Sequence, residues 1–317
     1  MAEAVIVPED ELLDRAGLAL RPLPGGFGVE LAGLNIQQKQ DPRIAALLPH
    51  LWRRYGLLLI RRQDVGPAEV AAFGAILGEP RRAPIMDSGR VFVEGHPEVF
   101  AISNLVDNKS RVGALGTGAL DWHAVMSYQS TPPRAVCLYA YNVSQRAGRT
   151  GFLDARRAYD NLPHPLRAAV AALTIKHDAA YTLDGYLREG CGLTLARAKA
   201  RGGFDVRMLV GASHPALRTD AETGTQTLFL GRRQNAYAEG LAMAESEALL
   251  DTLWRFVARF GESAYHHPWE NGDLIVWDNH RAMLRREGFL GSLPRTLLRV
   301  QMREPETIPA EAETSGR

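Results

Sequence analysis

The stretch GALDWHAVMSY, Gly118 to Tyr128, begins with small residues and then reads as a strand. Alternate side chains of a strand point to one face, so Asp121, His123 and Val125 share a side. A single histidine with an aliphatic neighbour two places on raises the question of what that face looks onto.

Working outward, short β-rich runs recur on both sides: LLLIR (57–61), EVFAIS (98–103), AVCLYAYNV (135–143), TLFL (227–230), DLIVW (273–277) and TLLRVQM (296–302). Helical periodicity covers Asp41 to Gly56, with Asp41 as cap and Gly56 as stop, then 66–78, then Ala244 to Gly261, where leucines, Trp254 and Val257 recur three and four apart. Strands separated by long irregular inserts and flanked by a few helices predict a mainly β domain, an antiparallel sandwich or barrel with helices outside. The chain shows no internal repeat, so one domain is expected over 1–303. The polar tail EPETIPAEAETSGR, 304–317, reads as disordered.

With 37 Lys and Arg against 36 Asp and Glu, the 317 residues carry almost no net charge, which argues against nucleic acid or an anionic membrane as partner. The expected partner is a small molecule. The two cysteines, Cys137 and Cys191, have no metal-type spacing, and the N-terminus lacks the basic and apolar runs of a signal peptide. A cytoplasmic protein, with no membrane segment, is the expectation.

Nine stretches, in order, resemble the TauD/TfdA family of iron(II) and 2-oxoglutarate-dependent oxygenases: RYGLLLIRRQD, FGAILGEP, ISNLVDN, GALGTGALDWHAVMSYQSTPPRAVCLYA, GRTGFLDARRAYDNLP, IKHDAAY, SHPALRTDAETGTQTLFL, HHPWENGDLIVWDN and LPRTLLRVQ. They span roughly Pro22 to Arg303. The resemblance implies a double-stranded β-helix, a cupin-like jelly-roll of two antiparallel sheets. It also implies a metal held by His-x-Asp on one strand and by a distal His after WDN, leaving positions open for 2-oxoglutarate and oxygen.

His123 matches the first ligand, but Val125 stands at the carboxylate position and Leu284 at the distal His position. One imidazole with two aliphatic neighbours does not hold iron(II). No metal and no cofactor are therefore expected, with 2-oxoglutarate and Fe(II) retained only if Asp121 or His280 supports a relocated site. Arg295 matches the family arginine that pairs with the distal carboxylate of 2-oxoglutarate, and Thr150 matches a threonine that helps hold it. Arg299 matches a position that in some relatives contacts an anionic substrate, and at i, i+4 on a strand it faces the same side as Arg295.

His123 then reads either as a satisfied core histidine or as a general acid/base, with Tyr128 and Asp121 as candidate partners. His177 and His214 read as framework residues, and His266 and His267 as turn or sheet-face residues. Three functions follow. The first is a repurposed, metal-independent enzyme of specialised metabolism that isomerises, eliminates or cyclises a small carboxylate-bearing substrate. The second is an oxygenase with a displaced metal. The third is a non-catalytic paralogue that binds a ligand or stabilises a partner. Relatives of this kind often form homo-oligomers.

Overall fold

Alternation along Leu57–Ile60 sets the layering of the molecule: Leu57 and Leu59 point between two sheets, whereas Leu58 and Ile60 point outward under helices. The computed structural model describes residues 9–83, 92–107, 110–111, 113, 116–181, 205–220 and 223–303. Cys191 and the tail from 304 lie outside them.

Among the described residues the main sheet has nine strands. Its order is Ala19–Pro22, Val29–Ala32, Leu57–Ile60, Leu274–Asp278, Ala135–Val143, Arg295–Arg303, His96–Ser103 and Phe92–Val93, with Glu79–Pro80 paired to the end of Arg295–Arg303. The opposing sheet runs Tyr265–His267, Thr150–Asp154, Ala282–Arg286, Leu120–His123. Pairing in both is antiparallel apart from Val29–Ala32 beside Leu57–Ile60. This is the double-stranded β-helix expected from the sequence.

Helices Pro42–Tyr55 and Pro67–Leu77 cover the outer face of the main sheet. Asp41 caps the first by accepting from the Arg43 backbone N–H at 2.8 Å. Gly56 ends it at φ 73°, where a side chain would also run into the Phe27 ring. A third helix, Met243–Phe260, buries Leu250, Leu253 and Val257 in a separate cluster behind the smaller sheet. None of the described helices is long and apolar enough to cross a membrane.

Two strands escape the sequence pattern. Thr150–Asp154 is buried at every position and Ala282–Arg286 at all but Arg285, because each lies between the inter-sheet core and the outer helical cluster. The alternation that marks a half-exposed strand is therefore missing. The TLFL run is strand only over Gln226–Leu228.

Trp277, with no exposed surface, meets Phe152 edge to face at 5.5 Å between ring centroids in the centre of the barrel. Trp277→Ala is expected to cost about 3–5 kcal/mol through lost burial and the cavity left behind, measurable as a lowered urea midpoint with unchanged slope.

Candidate functional site

His123 ends its strand directly opposite Leu284 in the antiparallel register. Its Nδ1–H donates to the Asp121 carbonyl at 2.7 Å, which leaves the lone pair on Nε2. Burial drives its pKa down to about 4, with Arg232, Arg286 and Arg299 adding repulsion against the imidazolium. At neutral pH the ring is an uncharged base.

The other two ligand positions are hydrocarbon. Val125 and Leu284 belong to the inter-sheet core, packed with Phe152 and Trp277. Asn279 fixes the Val125 backbone, accepting from its N–H at 2.8 Å and donating to its carbonyl at 2.9 Å. The sequence reading is corrected at Asp121: its side chain is exposed, and it meets His123 through its carbonyl rather than its carboxylate. Tyr128 lies in the turn beyond the strand, within electrostatic reach of Arg81. His280, a candidate substitute ligand, is on the outer turn, where its Nδ1 accepts from Arg134.

Arg295 sits in the same barrel. Its Nη2 donates to Thr150 Oγ1 at 3.3 Å, and among the described residues its Nε has no partner and it makes no ion pair. Burial, then the neighbouring Arg286, lowers its pKa to about 9, so it remains a cation at neutral pH. Both guanidiniums lie against the Phe289 ring, at 5.6 and 5.8 Å. Arg299, four residues on, lies 4.3 Å over Phe100.

Several supporting residues were not legible in advance. Trp269 Nε1–H donates to Thr150 Oγ1 at 2.9 Å, orienting the hydroxyl beside Arg295. Behind Trp269 is His267, 4.6 Å away between ring centroids, which bonds Asp273 at 2.9 Å and the Tyr265 hydroxyl at 2.7 Å. His267, on the strand Tyr265–His267, is thus a buried strut on a sheet face, one of the two places expected for it. Arg232, tied to Asp178 at 2.9 Å, brings a third cation toward His123. His177 and His214 are framework, as expected, packed 5.4 Å apart and each edge-to-face with Phe229, at 5.9 and 5.5 Å.

Residues 19–301 match the family described as "Taurine catabolism dioxygenase TauD, TfdA family". The chain belongs to the TauD/TfdA family. It is 29% identical to the (S)-phenoxypropionate/alpha-ketoglutarate-dioxygenase of Sphingobium herbicidovorans over 82% of this chain and 86% of that one. It is 27% identical to the alpha-ketoglutarate-dependent 2,4-dichlorophenoxyacetate dioxygenase of Cupriavidus pinatubonensis, over 84% and 90%. A taurine dioxygenase structure from Burkholderia xenovorans superimposes with a TM-score of 0.68 at 26% identity, covering 91% of this chain and 90% of that one.

These TauD/TfdA relatives overturn the expectation of no cofactor. They are named for their dependence on alpha-ketoglutarate, and the fold and family are those of iron(II)/2-oxoglutarate dioxygenases. The reading erred by inferring the fate of both groups from the metal-ligand positions alone. A 2-oxo dicarboxylate is recognised through its far carboxylate, and the buried, ion-pair-free Arg295 beside Thr150 fits that group. The three-residue iron site is a different matter. His123 supplies one nitrogen and Val125 and Leu284 supply none, while no group of three His, Cys, Asp or Glu side chains among the described residues could hold a metal. The residues in place do not fit that mode of iron binding.

The buried histidines set an acid limit on stability. His123 and His177 are pushed down to about 4 and about 3, and His214, His267 and His280 are also lowered, each chiefly by burial. The unfolded chain takes up protons near pH 6.5 whereas the folded chain does not, so stability is complete above that pH and falls as pH drops toward 4. Each histidine contributes up to about 1.4 kcal/mol per pH unit in that window. Asp278, raised by burial, has the opposite sign. Urea midpoints are expected to be level above about pH 7.5 and to fall steeply between pH 6.5 and 4.

Proposed function

We propose that this chain binds 2-oxoglutarate, or a closely similar 2-oxo acid, through Arg295 and Thr150, and that it acts by proton transfer on a small carboxylate-bearing molecule beside His123. The observation that carries the reading is Arg295, a buried guanidinium whose one hydrogen bond among the described residues goes to a neutral hydroxyl. An arginine sealed in a barrel is unfavourable until an anion joins it.

His123 Nε2 is the base in this scheme. It takes a proton from carbon next to a carboxylate or carbonyl and returns it to another atom of the same molecule in an isomerisation or cyclisation, or passes it to the departing group in an elimination. Arg232, Arg286 and Arg299, whose charges all reach His123, attract the substrate carboxylate and offset negative charge that develops as the proton leaves. The hydrocarbon of Val125 and Leu284 excludes water from the reacting carbon.

A second reading, an oxygenase whose metal is held outside the family's triad, is favoured by the names of the relatives. Incubation with small carboxylic acids in deuterated water, followed by proton NMR, tests the first reading. Deuterium should enter a carbon position with the wild type and not with His123→Asn. Succinate release from 2-oxoglutarate that depends on ferrous ion and oxygen, without such exchange, would establish the second instead.

A further inference from the structure

Thr150 Oγ1 accepts two hydrogen bonds, from Trp269 Nε1–H at 2.9 Å and from Arg295 Nη2–H at 3.3 Å. Indole and guanidinium nitrogens only donate, and a hydroxyl has two lone pairs and one hydrogen. Both lone pairs are therefore taken, and the Thr150 hydrogen is left for a third partner. No acceptor among the described residues receives it. Thr150 is only 2% exposed, and a buried O–H with no acceptor is costly. Arg295 Nε–H is in the same position, without a partner among the described residues. Thr150 and Arg295 together thus offer hydrogens and no lone pair, which suits an end group that only accepts.

Trp269 decides this polarity, because without its N–H one lone pair would be open and the hydroxyl could turn either way. The indole is itself held from behind. Sheet register sets His267 directly across from Thr150, and Trp269 follows two residues later. The His267 ring stands at 89° to the indole, with Nε2–H donating to the Asp273 carboxylate and Nδ1 accepting from the Tyr265 hydroxyl. Asp273 also accepts from the backbone N–H of Glu270, the residue after Trp269, at 3.0 Å, and it pairs with Arg61 at 3.2 Å. Each hydrogen along this chain of contacts has a single place, which fixes the indole against Thr150.

We propose that Trp269 is a positioning residue of the carboxylate site: by filling one lone pair of Thr150 it turns the hydroxyl hydrogen toward the bound acid, acting through Thr150 rather than on the acid itself. The inference rests on the reading that 2-oxoglutarate is held by Arg295 and Thr150.

Calorimetric titration of 2-oxoglutarate into the wild type, Trp269→Phe, Thr150→Val and the double variant, each checked for an unchanged melting curve, tests the proposal. Phenylalanine keeps an aromatic ring beside His267 and removes the N–H. Trp269→Phe should weaken binding by about fivefold, the worth of one neutral hydrogen bond. Once Thr150 is valine, the same change should cost nothing further. Equal losses in both backgrounds would show that the indole acts by packing alone and would overturn the proposal, with the 2-oxoglutarate reading intact. A second measurement leaves Trp269 in place. In 15N-labelled protein, the indole N–H signal that moves on Thr150→Val substitution should also shift when 2-oxoglutarate is added to the wild type, and a signal that ignores the acid overturns the proposal as well. Absence of saturable binding by the wild type would instead remove the 2-oxoglutarate reading, and this inference with it.

Discussion

Arg295→Met is expected to remove 2-oxoglutarate binding while leaving the unliganded protein as stable as the wild type or more so. Truncating one partner of a buried, hydrogen-bonded charge pair costs about 2–5 kcal/mol, or roughly thirty-fold to a few thousand-fold in affinity. The stability side has the opposite sign. Burial holds the Arg295 pKa at about 9 rather than 12.5, which corresponds to a folding penalty on the order of several kcal/mol. Methionine fills the space without that charge. A melting temperature that rises as affinity disappears separates a ligand-binding arginine from one that holds the sheet together. A variant that melts earlier and still binds 2-oxoglutarate contradicts the assignment.

The second large effect is a gain. Val125→Asp with Leu284→His should create ferrous ion binding, because the register already sets position 284 across from His123 and Asn279 already fixes the backbone at position 125. Two added ligands should strengthen binding by more than the roughly 10–100-fold that outer-sphere partners contribute. Without metal the new carboxylate replaces valine in a hydrocarbon core, so the variant should be destabilised by about 3–5 kcal/mol as an uncompensated buried charge. Ferrous ion should then raise its melting temperature and leave the wild type unchanged. If wild type and variant respond alike, the positions at 125 and 284 do not decide metal binding.

How much of this was readable in advance depends on the range of the contact. The strands Ala135–Val143 and Leu274–Asp278 and the capped helix Pro42–Tyr55 show themselves through local apolar periodicity and end signals. Arg295 and Arg299 fall on one face because strand alternation is local as well. The Trp269–Thr150 bond joins residues 119 apart and the Arg295–Thr150 bond residues 145 apart. Only sheet register creates those pairs, and no local pattern encodes it. Asp121 fails as a partner of His123 for a local reason, since strand alternation gives a face but not whether backbone or side chain makes the contact. The cofactor was misjudged because two absent metal ligands say nothing about a carboxylate held elsewhere in the barrel.

The most direct test is calorimetric titration of 2-oxoglutarate into wild-type protein freed of metal by a chelator. The account predicts saturable binding under those conditions, driven by the Arg295 guanidinium and the Thr150 hydroxyl. Binding seen only after ferrous ion is restored would contradict it, by showing that the acid is held chiefly through a metal rather than through its far carboxylate.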